Sequence, residues 1–118
     1  PARADAFTAV GATRACVGDY ADAAFLEASC ASLPAPLRVL CLLPPSACAD
    51  ERGELQPLQR LVAALGAMAP TRAILTSSTG VYGEQGGDIV AAETPCRPQS
   101  PREQRLAAIE RCWLAAGN

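Results

Sequence analysis

The chain holds 118 residues, half of them hydrophobic, which suffices for one domain with a core and for no more. Its formal net charge is −2 and its ten basic residues are scattered arginines, which argues against a nucleic-acid or polybasic membrane surface. It contains neither lysine nor histidine, so any chemistry assigned to it must do without both.

Residues 2–10 carry helix formers and meet Gly11, a stop signal. Residues 13–17 are a short strand candidate running into Gly18-Asp19. Residues 22–32 read as a helix, with Phe25, Leu26 and Ala28 available to one face. Asp22 stands near its start, where the helix dipole favours a carboxylate, and Pro34 and Pro36 end it.

Residues 37–43 are a near-continuous apolar run, and their length and flanking prolines predict a strand buried on both faces. Such runs are far too short to span a bilayer. Pro44-Pro45 stop the strand. Residues 50–69 predict a long amphipathic helix, because Leu55, Leu58, Leu61, Val62 and Leu65 recur at helical spacing. Pro57 is tolerated only in a first turn, so the regular helix is expected to begin near Leu55; Pro70 closes it.

Residues 73–76 are the third strand candidate, and residues 83–100 form a loop rich in glycine, proline and acids. Residues 102–116 predict the last helix, with Leu106, Ile109, Cys112 and Trp113 on one face and Gly117 as terminator. Strand, helix, strand, helix, strand, loop, helix is the alternation of an α/β doubly wound parallel sheet.

Six cysteines, at positions 16, 30, 41, 48, 96 and 112, show no Cys-x-x-Cys spacing, and no histidine could complete a zinc site. Cys16 and Cys41 lie in apolar strand-like runs, where cysteine acts as a small hydrophobe. The expectation is structural thiols, no metal, and a reducing cytoplasmic setting, in keeping with the absence of a secretory pattern at the start.

The chemistry-bearing stretch is residues 74–83, Ile-Leu-Thr-Ser-Ser-Thr-Gly-Val-Tyr-Gly. A buried strand that breaks into hydroxyls and then glycine delivers those hydroxyls to the sheet edge where α/β proteins bind ligands.

Ser77-Ser78-Thr79-Gly80-Val81-Tyr82-Gly83, then Glu93-Thr94-Pro95, then Pro98-Gln99-Ser100-Pro101, resembles the central stretch of the extended short-chain dehydrogenase/reductases, the NAD-dependent epimerase/dehydratase family. Gly18-Asp19-Tyr20-Ala21-Asp22 resembles that family's segment after its third strand. The resemblance runs in order from about residue 10 to the end. It implies a partial Rossmann-like sheet, with strands matching the family's third, fourth and fifth. The whole chain, 1–118, would then be part of a single NAD(P)-binding domain without its first two strands or its substrate lobe. In the order 3-2-1-4-5-6 the absent strands separate residues 13–17 from the other two. That segment would lack a neighbour, and the chain alone is expected to be unstable.

The resemblance also assigns roles. Asp19 would cap the adenine amino group and Tyr20 would flank the ring; the plainer reading of Asp19 is a turn residue. Leu43, Pro44 and Pro45 would pass the cofactor ribose, or simply terminate the strand. Ser77 would contact the cofactor. Ser78 would be the catalytic hydroxyl on the substrate's reacting oxygen, since a hydroxyl can both donate and accept; the plainer reading is a strand-end serine satisfying local backbone. Thr79 and Tyr82 would contact substrate, and Arg105 would hold a phosphate or ribose.

The pattern fails in the last helix. Where the family has Tyr-x-x-x-Lys, this chain has Arg102 and Leu106. Without a phenol and a cation to lower its pKa, that acid/base mechanism is lost, and arginine is too basic to shuttle protons. The combination resembles the family's atypical branch. The leading expectation is an NAD(P)-binding protein, with redox or epimerase activity on a nucleotide sugar or similar small molecule if it is active. The alternatives are a non-catalytic dinucleotide sensor or scaffold, and an α/β domain unrelated to dinucleotides.

Overall fold

The computed structural model describes residues 9–12, 14–31 and 33–116. These form a mixed α/β unit of α1 (Ala23–Cys30), β1 (Arg38–Cys41), α2 (Gln56–Ala67), β2 (Arg72–Leu75), a 3₁₀ turn (Thr79–Tyr82) and α3 (Pro101–Leu114). β1 and β2 pair in parallel, with Arg38 opposite Arg72, Val39 opposite Ala73, Leu40 opposite Ile74 and Cys41 opposite Leu75. Parallel pairing requires a long crossover, and the loop and α2 supply it.

α1 and α3 start at side-chain caps, and α2, uncapped at Leu55, starts at a proline. The Asp22 carboxylate accepts from the N–H groups of Ala24 and Phe25. Pro57 sits in the first turn of α2, where its missing N–H removes no helical bond. Ser100 and Glu103 form a reciprocal capping box at the head of α3.

The core gathers Cys41 from β1, Cys48 from the following loop, Leu58 and Leu65 from α2, and Ile109 and Trp113 from α3. Val39, Ala73 and Leu75 pack against it. One sheet face therefore carries the core. On the other, Leu40 is 61 % exposed and Ile74 48 % exposed. α1 packs on α2, and α3 packs on α2 and the 3₁₀ turn.

Three expectations change. Residues 14–17 form no strand and join no sheet, and Val17 is largely exposed. A lone extended segment has no ladder to satisfy its backbone, so two strands stand where three were expected among the described residues. The 37–43 run is a strand over Arg38–Cys41 but is buried on one face only, because no described element covers the other. In α1 only Leu26 is buried; Phe25 is half-buried against Gly18, and Ala28 is exposed. The expected start of the first helix (residues 2–8), Thr13 and Gly117 lie outside the described residues. No helix among the described residues is long and apolar enough to cross a membrane.

Candidate functional site

Because β1 and β2 are parallel, their C-terminal ends share one edge, and both exit loops leave from it. Thr76, the first residue after β2, fixes the two exits. Its N–H donates to the Cys41 carbonyl at 3.0 Å, and its hydroxyl donates to the same oxygen at 3.2 Å. Thr71 does the same at the opposite end, its N–H and hydroxyl reaching the Leu37 carbonyl at 2.8 and 2.9 Å.

The β1 exit turns at once. The Pro44 carbonyl accepts from the Ala47 N–H at 2.8 Å and from the Cys48 thiol at 3.6 Å. The Pro45 carbonyl accepts from the Cys48 N–H at 3.3 Å. Leu43 packs on the core, while Pro44 and Pro45 are exposed. Cys48 is buried within the turn, and burial pushes its thiol pKa up, with Cys41 and Cys112 adding to the effect.

The 19–22 loop stands at this same end. Asp19 closes an Asx turn, its carboxylate accepting from the Ala21 N–H at 2.8 Å. Arg60 of α2 donates to the Ala21 carbonyl at 3.3 Å and ties the loop to that helix. Tyr20 is half-buried; burial raises its phenol pKa first, and Cys48, Asp19 and Cys41 raise it further. The phenol thus stays protonated at neutral pH.

The β2 exit carries the hydroxyl cluster. Ser78 is extended (φ −134°, ψ 144°) and caps the 3₁₀ turn, its Oγ accepting from the Gly80 N–H at 3.3 Å. Val81 is buried and anchors the turn. Gly80 lies against Leu106 of α3, where an added Cβ would meet the leucine Cδ1 at 3.1 Å. Gly83 has φ +68°, and an added Cβ there would collide with the Arg97 carbonyl. Only glycine satisfies both demands. The Ser-Ser-x-x-Val-Tyr-Gly pattern is therefore a folded unit with a cap, an anchor and a glycine stop.

The expected site residues divide accordingly. Leu43, Pro44 and Pro45 leave the end of β1, and the Tyr20 phenol, next to Asp19 in the chain, lies within electrostatic range of Cys41 and Cys48 there, while Ser78, Thr79 and Tyr82 occupy the neighbouring turn after β2. Ser77, Ser78 and Thr79 are exposed and Tyr82 is half-buried. Ser77 turns away and lines a cleft with Ala73, Leu75, Glu110 and Trp113, flanking α3. Arg105 is exposed and its guanidinium lies against Gly53, in the loop between β1 and α2. Arg102 is exposed, and Leu106 is 3 % exposed within the core.

The six cysteines are free thiols. Cys41 is buried, whereas Cys16 is exposed, contrary to its apolar sequence context, because its segment joins no sheet. Among the described residues no group of three or more His, Cys, Asp or Glu side chains could hold a metal ion. Cys48 was expected only as one structural thiol among six; its burial was not foreseen, and the preceding Pro-Pro turn that folds it inward was the available signal.

No family model, no curated protein and no solved structure matches this chain.

Proposed function

We propose that this chain is part of an NAD- or NADP-binding, Rossmann-like domain of the extended short-chain dehydrogenase/reductase type, in its atypical branch. The observation that carries the reading is that the Leu43–Pro45 exit and the Ser78–Tyr82 turn leave the same sheet edge, with the Tyr20 phenol within electrostatic range of Cys41 and Cys48. Ligands of open α/β sheets bind outside the carboxyl ends of the strands. On this reading Asp19 offers an acceptor to an adenine amino group, Tyr20 an aromatic wall beside it, and Arg105 a charge for phosphate or ribose.

Ser78 is the first candidate for contact with a substrate oxygen. Its Oγ accepts one local bond, which leaves the O–H to donate. A proton-transfer pair is a different matter. Leu106 occupies the position where a lysine would be needed and is buried in the core. That observation favours a second reading, a protein that binds dinucleotide and turns nothing over.

Calorimetric titration of the full-length protein carrying this chain with NAD, NADH, NADP and NADPH tests both readings. Binding that weakens on Asp19→Asn supports the cofactor site. Turnover of a nucleotide sugar that is lost on Ser78→Ala supports the enzyme, and undiminished cofactor binding without turnover supports the sensor. Failure of all four nucleotides to bind overturns the proposal.

A further inference from the structure

The loop that carries Asp19 and Tyr20 is held from three directions. Gly18, at its start, lies under the Phe25 ring of α1, which fills the space a Cβ would need. The turn itself closes on Asp19: the Asp22 N–H donates to the Asp19 carbonyl at 3.1 Å, and the Ala21 N–H donates to Asp19 Oδ1 at 2.8 Å. The third hold comes from another element. Arg60 of α2, 39 positions along the chain from Ala21, donates to the Ala21 carbonyl at 3.3 Å.

The first two holds are local and set the shape of the loop and its junction with α1. The Arg60 bond sets where the loop stands. Leu58, two residues before Arg60, is fully buried in the core with Cys41 and Cys48. This turn of α2 therefore grips the end of β1 on one side and the loop on the other. Tyr20, beside Ala21 in the chain, brings its phenol within electrostatic range of the same two thiols. Asp19 commits Oδ1 to the turn and keeps a second carboxylate oxygen for a donor. A loop held before its ligand arrives loses less conformational freedom on binding.

We propose that Arg60 is a positioning residue, which holds the Asp19–Tyr20 loop beside the β1 exit so that the adenine half of a dinucleotide meets a preformed acceptor and aromatic wall. The identity of that ligand rests on the dinucleotide reading; the placing of the loop rests on the hydrogen bonds.

The test has two readouts on the full-length protein carrying this chain. The first needs no ligand. With ring-labelled tyrosine, and the Tyr20 signal assigned by its loss in Tyr20→Phe, an NMR titration follows the phenol, which burial and then Cys48, Asp19 and Cys41 hold above its ordinary pKa. Arg60→Met should let that pKa fall toward the ordinary value. Arg60→Lys keeps an N–H donor and should stay near the parent. The signal is read on folded protein, so a loss of stability alone does not move it. The second readout is NADH affinity. Arg60→Met should weaken it roughly fivefold, the scale of one hydrogen bond, and should weaken it no further once Tyr20→Ala has removed the wall. A Tyr20 pKa unmoved by Arg60→Met, or effects of Arg60→Met and Tyr20→Ala that simply add, overturns the proposal. If the parent binds no dinucleotide, the cofactor reading fails by itself, and the Tyr20 titration alone decides whether Arg60 holds the loop.

Discussion

Thr76 gives both of its donors to one acceptor, the carbonyl of Cys41. The bond pair sits where two chains diverge from the sheet, so it sets the spacing of the two exit loops. Thr71 and Leu37 repeat the device at the opposite end. Each hydroxyl contributes about 1 kcal/mol net, typical of an intramolecular hydrogen bond. Thr76→Val and Thr71→Val should each lower the urea unfolding free energy by about that amount. The double variant should be close to additive, because the two sites lie at opposite ends of β2.

Gly83 and Gly86 share positive φ, +68° and +65°, but only Gly83 abuts a backbone carbonyl. Gly86→Ala should cost about 1 kcal/mol for the left-handed backbone alone. Gly83→Ala should cost distinctly more, since the Arg97 carbonyl must move as well. Chemical denaturation of the two variants side by side measures the difference.

The Glu103 carboxylate accepts from the N–H groups of Gln99 and Ser100, which hold its pKa below the ordinary carboxylate value, with the Ser100 hydroxyl and Arg102 adding to the effect. A depressed carboxylate stabilises the fold above its unfolded pKa, and that stabilisation fades as pH falls through the folded value. Unfolding measured between neutral and acid pH should show this dependence in the parent and a shallower one in Glu103→Gln. Ser100→Ala removes the other half of the box and should cost about 1 kcal/mol.

Cys16 and Cys96 are exposed, and Cys41 and Cys48 are buried. Iodoacetamide at neutral pH should alkylate the first pair in the native protein and spare the second until denaturant is added, as peptide mass spectrometry would show. The Cys48 pKa is raised chiefly by burial. Its thiol therefore supports the fold below the ordinary thiol pKa, and stability should fall as pH climbs above that value. Cys48→Ala should flatten the alkaline limb.

The elements legible in the sequence were those whose signals are local. The leucine spacing of α2, the proline in its first turn and the Asp22 cap all stand within a residue or two of expectation. β1 and β2 were legible as apolar runs bounded by prolines or threonines. Residues 14–17 were not, because a strand exists only if a partner lies beside it, and no local pattern reports that. The same limit hid the exposure of Leu40. Around the candidate site, hydroxyl and glycine spacing located the turn after β2, while the neighbourhood of Tyr20 and Cys48 arises from the fold of two separate loops.

The register of the sheet also bears on how the chain is made. Arg38 meets Arg72 across 34 positions of sequence, and every ladder contact spans the same interval. Closing a loop of that length costs on the order of 3 kcal/mol of chain entropy before any rung forms. On a ribosome, β1 therefore emerges with no partner and waits in solvent until Leu75 has cleared the exit tunnel. α2 can wind during that interval and draw the two ends together, so its leucine stripe serves the nascent chain before it serves the finished core.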